Sequence, residues 1–243
     1  MDLYLLAFFT LLTSTFAAIM GQGGGLILMG ILAGSVPAPA LIAIHGFIQA
    51  SSNGSRAYLA RKDINWSIIL PVSAGIVLGA AFILPFIPLL NWQWMQGVIA
   101  LYILWVTWGH LLSSPDRRVW KFKRRHPFIK LGLLQGSLGM ALGATGPLGN
   151  ALLLKKGLSK DAIIASNAII MLISHLVKII FFSLMGVQLI AHANLVITLS
   201  LAAIVGSYLG SFFRQSLPER IFFPLFKALL TVLALRMLIL ATT

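Results

Sequence analysis

The sequence predicts an all-α polytopic membrane protein of two inverted repeats, each a Gly-rich broken or re-entrant helical segment plus three transmembrane helices. Three observations predict it. Of the 243 residues, 59% are hydrophobic and only 9% charged, against roughly 25% charged in a soluble domain. The mean hydropathy is +0.96. Apolar runs recur from residue 3 to residue 240, and two of them are interrupted by glycines at corresponding places.

The elements follow in order from the rule that about 20 apolar residues cross the hydrocarbon. Leu3 to Ala33 is a long run broken by Gly21-Gln22-Gly23-Gly24-Gly25. Three clear spans follow: Pro39 to Tyr58, Ser67 to Pro88 and Trp94 to Leu112. A basic stretch precedes Phe128 to Leu154, a second broken run whose interruption is Gly143-Ala144-Thr145-Gly146-Pro147. Ser159 to Met185, Asn194 to Phe213 and Ile221 to Leu240 complete the chain. Residues 1–112 therefore read as the first repeat, 113–127 as a basic cytoplasmic linker and 128–243 as the second repeat. The start, Met1-Asp2-Leu3, lacks the basic region of a signal peptide, so the first apolar run is expected to be retained.

Charge decides between two topologies. If both broken runs cross, the inner side holds Arg56, Arg61, Lys62, Arg117, Arg118, Lys121, Lys123, Arg124, Arg125 and Lys130. The outer side then holds Lys155, Lys156, Lys160, Arg214 and Arg220, a poor fit to the positive-inside rule. If each run enters, turns at its glycines and leaves on the same side, all of these cations lie inside. The hairpin arrangement is preferred, although Leu3 to Met20 alone is nearly long enough to cross.

Hairpins plus three spans make the two units oppositely oriented. Sliding residues 21–56 onto 143–178, an offset of 122, pairs Gly21/Gly143, Gly24/Gly146, Leu26/Leu148, Leu32/Leu154, Ala40/Ala162, Ile42/Ile164, Ala43/Ala165, Ile48/Ile170 and Ser52/Ser174 as identities. Arg56 falls on Lys178 and Asn53 on His175. The next span of each unit carries a small-xxx-small pair, Gly75/Gly79 and Gly206/Gly210, a spacing that brings helix backbones together in lipid.

Broken helices at membrane depth survive only where protein or water satisfies their backbone, and in transporters such breaks form the binding site. Helix N-termini following a glycine break offer N–H groups and partial positive charge, which suits an anion. The charge inventory agrees. Asp2, Asp63, Asp116, Asp161 and Glu219 lie at termini or loops, whereas Arg56, Lys178, Lys227 and Arg236 lie in or at the ends of apolar segments. That argues against a cation site and against catalysis by paired carboxylates. Lys227 and Arg236 have an alternative as side chains that snorkel to the interface, as does Arg56.

Polar groups cluster on the second element of each unit: His45, Gln49, Ser51, Ser52 and Asn53, then Ser166, Asn167, Ser174 and His175. Their hydroxyls and amides can donate to an oxyanion, or can bond neighbouring helices. His45 and His175 leave proton coupling open, and Na+ is equally open as a coupling ion. No HxxxH spacing or cysteine is present, so no metal, cofactor, disulfide or thiol nucleophile is expected. The net charge of +13 and the Trp120, Phe122 and Phe128 interleaved with the basic linker read as a cytoplasmic determinant on anionic membrane lipids, with no nucleic acid as partner.

The strings Gly21-Gln22-Gly23-Gly24-Gly25 followed by Pro37, and Gly132-Leu133-Leu134-Gln135-Gly136-Ser137-Leu138-Gly139 leading to Gly143-Ala144-Thr145-Gly146-Pro147, resemble the sulfite exporter TauE/SafE family, also called the 4-toluene sulfonate uptake permeases. Asp63-Ile64-Asn65-Trp66 and the position of Lys178 fit the same pattern. The resemblance implies two related halves and the movement of sulfite, sulfonates or related organic anions across the bacterial inner membrane.

The reading is a secondary transporter of small anions with alternating access at a site between the two breaks. The backbone of Gly23, Gly24, Thr145 and Gly146 would bind the anion, Ser52, Asn53, Ser174 and His175 would orient it, and Arg56 and Lys178 would supply charge. A passive anion channel and a membrane enzyme or accessory subunit without transport are the alternatives. Substrate, direction, coupling ion and homo-oligomerisation stay open.

Overall fold

A computed structural model describes residues 2–21, 23–33, 35–36, 38–109, 126–146, 148–149, 153, 158–213 and 219–242. Among these the regular structure is helical, apart from a single bridge between Ala33 and Val36. Most of the basic linker, with Gln22, Pro37, Pro147, Asn150, Lys155, Lys156 and Arg214, lies outside the described residues.

The helices are α1 (Leu3–Met20), α2 (Gly24–Leu32), α3 (Ala38–Leu59), α4 (Trp66–Ile83), α5 (Trp92–Trp108), α6 (His126–Leu142), α7 (Lys160–Leu184), α8 (Ala193–Phe213) and α9 (Glu219–Thr242). Among the described residues four helical stretches are long and apolar enough to cross a membrane: Leu3–Met20, Trp66–Leu89, Asp161–Leu184 and Leu189–Phe213. The chain is thus a multi-pass membrane protein. At about 1.5 Å per residue, α1 is about 27 Å long, close to the hydrocarbon thickness, whereas α2 is only about 13 Å.

The first broken run does turn back. Gly21 has φ +78° and its N–H bonds Ala17 O at 2.8 Å, the left-handed ending that glycine adopts without a Cβ penalty. Beyond it α2 packs back along α1, and a Cβ on Gly24 would strike the backbone of Thr13 and the side chain of Ala17. The second run breaks the same way. Gly143 has φ +80° and bonds Gly139 O at 3.1 Å, and helical residues resume at Gly146.

Four helix pairs carry the packing: α1 on α8, α4 on α6, α3 on α7 and α5 on α9. Exchanging α1, α3, α4 and α5 with α6, α7, α8 and α9 leaves this set of pairs unchanged. Glycine makes two of these pairs close. A Cβ on Gly75 or Gly79 would collide with the α6 backbone at Ile129 and Leu133, and one on Gly132 or Gly136 with the α4 backbone at Val72 and Ile76. On α8, Gly206 and Gly210 face the α1 backbone at Leu11 and Thr15 in the same manner. In lipid, where apolar burial gives little drive to associate, such backbone proximity supplies the van der Waals contact that holds helices together.

Side chains pointing to lipid are apolar: Leu70, Phe82, Trp94, Leu184, Leu201 and Phe212 are exposed. Polar side chains are turned inward, with Thr10, His45, Gln49, Asn53, Arg56, Gln135, Asn167, His175 and Lys178 all buried. This inside-out polarity concentrates the chemistry between α3 and α7. It also shows that Arg56 does not snorkel. Arg236 likewise turns inward, its guanidinium donating to Gly30 O of α2 at 3.1 Å.

Candidate functional site

Because α3 and α7 pack on each other, the polar face of each is met by the other and by the two glycine breaks. A cavity opens there, lined by Gly21, Gly23, Gly24 and Gly25 of the first break, Ala144, Thr145 and Gly146 of the second, His45, Gln49, Asn53 and Arg56 of α3, and Asn167, Met171 and His175 of α7, closed by Ala17 and Leu26. It offers about 30 Å3 to the centre of a water-sized sphere. One water needs about 10–15 Å3 by that measure. The space suits a compact polyatomic ion and excludes a bulky group unless the walls move.

The walls are assembled by hydrogen bonds that cross between elements. His45 donates through Nε2–H to Gly25 O at 2.8 Å, since a carbonyl can only accept, and this pins the start of α2 to α3. Asn167 of α7 donates to Gly21 O at 3.4 Å, tying the second unit to the first break. Gln135 of α6 donates to Thr145 O at 3.4 Å and holds the second break. Asn53 donates to Gln49 O at 2.7 Å within α3.

The two cations occupy corresponding places. Arg56 donates through Nη1 to Ala17 O at 2.8 Å and through Nη2 to Asn53 Oδ1 at 2.5 Å. Lys178 donates to Gly143 O at 2.5 Å and to His175 Nδ1 at 3.2 Å. Each therefore sits at the carbonyl end of a broken helix, Arg56 at that of α1 and Lys178 at that of α6, where the helix dipole favours positive charge. Because an ammonium only donates, Nδ1 of His175 accepts and the ring proton of the neutral imidazole lies on Nε2. The His175 ring meets His45 edge-on, centroids 5.8 Å apart.

Both cations are buried, Arg56 at 5% and Lys178 at 1% exposure, and their partners are neutral. Among the described residues no carboxylate lines the cavity, and Arg56 Nε–H, His45 Nδ1, Asn167 Oδ1 and Gln135 Oε1 have no hydrogen-bond partner. Positive charge buried without a counter-charge is costly in a low-dielectric interior, and the N-terminus of α2 at Gly24 adds N–H donors at this cavity.

Of the residues singled out in the sequence, Gly23, Gly24, Asn53, Arg56, Thr145, Gly146 and His175 meet at this cavity. Ser52 faces away, sharing a 2.8 Å hydrogen bond with Ser207 of α8. Ser174 is packed near Gly139 and Thr145, and Lys178 stands behind His175. The structure adds Gln49, His45 and Asn167 to the wall. Their polarity on apolar helices was visible, but their direction depends on how α3 meets α7. Gln135, a lone amide in apolar α6, is the residue that sequence reasoning passed over. Among the described residues no three His, Cys, Asp or Glu gather as metal ligands would.

Comparison with known proteins gives one family: the model described as sulfite exporter TauE/SafE matches residues 6–237. No curated protein matches the chain, and no solved structure does.

Proposed function

The chain belongs to the sulfite exporter TauE/SafE family, a family of membrane transporters, and on that premise we propose that it is a secondary carrier of small anions, sulfite or a compact sulfonate foremost. The observation that carries this reading is the buried Arg56 on the wall of a cavity with no carboxylate among its described lining residues, beside the glycine break that opens α2, with buried Lys178 behind His175. In it, backbone N–H groups of Gly23, Gly24, Thr145 and Gly146 cradle the oxyanion while Asn53 and the Nε–H of Arg56 donate to it. His175 donates through Nε2–H, with Lys178 behind it fixing the tautomer and adding charge. Ser52 and Ser174 serve helix packing.

The carrier mechanism rests on two inverted units, residues 1–112 and 128–243. The matching Gly21/Gly143 and Arg56/Lys178 positions and the exchangeable helix pairing support that arrangement. One unit rocking against the other would alternate access to the cavity. The reading assigns the protein to a bacterial inner membrane with H+ or Na+ as the coupling ion.

Counterflow in proteoliposomes tests it. With sulfite preloaded inside, labelled sulfite uptake should exceed that into empty vesicles, and sulfoacetate and an aryl sulfonate should compete in order of decreasing compactness. Equal flux with and without trans anion would make the protein a passive channel. Absence of flux for all three anions in folded protein would remove the transport assignment.

A further inference from the structure

The central helix pair has two ends, and the same positions fill them in opposite ways. At the end bearing Arg56, the residues Ala18, Arg56, Leu59, Ala60, Ile164 and Ser211 line a second cavity of about 120 Å3, with exposed Asp63 also on its wall. The offset of 122 carries Ala18 to Met140, Arg56 to Lys178, Leu59 to Phe181, Ala60 to Phe182 and Ile164 back to Ile42. The offset of 131 that superposes Gly79 on Gly210 carries Ala80 to Ser211. At the Lys178 end these counterparts form a packed cluster. Ile42, Ala80, Met140 and Phe182 are each 1% exposed or less, with Phe181 against them.

The difference lies in side-chain volume. Alanines at 18 and 60 leave space where Met140 and Phe182 fill it, and Ser211 is polar where Ala80 is not. Arg56 is common to both cavities, lining the anion site on one side and the 120 Å3 vestibule on the other. The guanidinium of Arg56, held by Ala17 O and Asn53, thus borders both the site and the vestibule, beside the packing of Gly21 of the one on Ile164 of the other. At the opposite end the corresponding positions are filled by the buried apolar cluster of Ile42, Ala80, Met140 and Phe182.

We propose that Arg56 is a thin gate between the anion site and a vestibule for hydrated anions, and that the Met140–Phe182 cluster is the thick gate at the other end, so that the structure is the state open toward the Arg56 end. Arg61 and Lys62 follow directly from that end of α3 and set it on the cytoplasmic side. Release of Arg56 toward an arriving anion opens the thin gate, since the ligand replaces the Asn53 and Ala17 acceptors that hold it. Opening the thick gate requires Phe182 and Met140 to separate, which only a rearrangement of α7 against α4 and α6 provides.

This rests on the carrier reading of the cavity, but its test needs no transported anion. The chain has no cysteine, so single cysteines can be placed in the full-length protein in proteoliposomes and labelled with a charged, membrane-impermeant thiol reagent. Labelling scales with the fraction of molecules in which a position is open, so Ser211→Cys should react from the cytoplasmic face at least about tenfold faster than Ala80→Cys from either face. Phe182→Ala should raise Ala80→Cys labelling and leave Ser211→Cys labelling unchanged, which also reports that the fold is intact. If Phe182→Ala fails that control, Phe182→Leu takes its place. Met171→Cys, in the anion cavity, should label slowly and become faster with Arg56→Ala. Equal labelling at 211 and 80, or a Met171→Cys rate indifferent to Arg56, would overturn the proposal. Normal counterflow with equal labelling would refute the gates alone, and the expected labelling without counterflow would refute the carrier alone.

Discussion

Arg56 and Lys178 fall on one another when the sequence is slid by 122 residues, yet the fold uses them differently. Arg56 reaches the cavity wall with Nε–H unspent. Lys178 is enclosed, one donor on Gly143 O and one on His175. The contrast follows from what stands beside each. The fourth residue before Lys178 is Ser174, and the residue three before it is an imidazole that accepts its proton. The residue three before Arg56 is Asn53, whose amide also belongs to the cavity. A planar guanidinium with five donors can hold two carbonyls and still present another N–H, whereas a compact ammonium spends its donors within a shorter radius. Under the proposed carrier reading the two positions divide a task, Arg56 contacting the ligand and Lys178 orienting His175.

The largest expected effect breaks that contrast at its ligand side. Arg56→Ala should reduce sulfite counterflow by about 100-fold, near the 3 kcal/mol expected when one partner of a buried charge pair is removed. Arg56→Lys should recover only part of it, because the bidentate geometry is lost. Lys178→Met should act more weakly, lowering exchange about tenfold, equivalent to 1.4 kcal/mol, through a weaker apparent affinity. An equal loss for both variants would mean that Lys178 also contacts the anion. The smallest effect is expected at Ser52→Ala, which removes the hydrogen bond to Ser207 and should cost about 0.6 kcal/mol of stability, typical of such bonds between membrane helices. Thermal unfolding in detergent measures that loss, and counterflow should stay within about twofold by the same magnitude. A large transport defect in folded Ser52→Ala would place that hydroxyl back at the site.

The glycine breaks were legible because few residues end a helix in the left-handed region, and Gly21 and Gly143 both do so. The close helix pairs were legible for a related reason: only a missing Cβ lets α4 approach α6 at Gly75 and Gly79. The helices themselves followed from apolar length, with observed ends within a few residues of the expected ones. The site was half legible. Asn53, Arg56 and His175 declared themselves as polar groups on apolar helices, but so did Ser52 and Ser174, and residue type does not distinguish a wall from an interhelical bond. A one-residue step along a helix rotates a side chain by about 100°, enough to move a serine from the cavity to the neighbouring helix.

The solvent was settled by the sequence itself. Long uncharged runs require a bilayer, because burying that much apolar surface without one has no soluble solution, and the cations placed in those runs, with the acids confined to termini and loops, are the pattern from which the proposal of an anion follows. Tertiary structure alone decided which donors converge and which are consumed. The crossing of α3 over α7 brings His45, Arg56, Asn167 and His175 to one small space, and it sets Ala18 and Ala60 around a hollow where Met140 and Phe182 make a plug. Those outcomes depend on distances between segments far apart in the chain, and local residue pattern carries no direct measure of such distances.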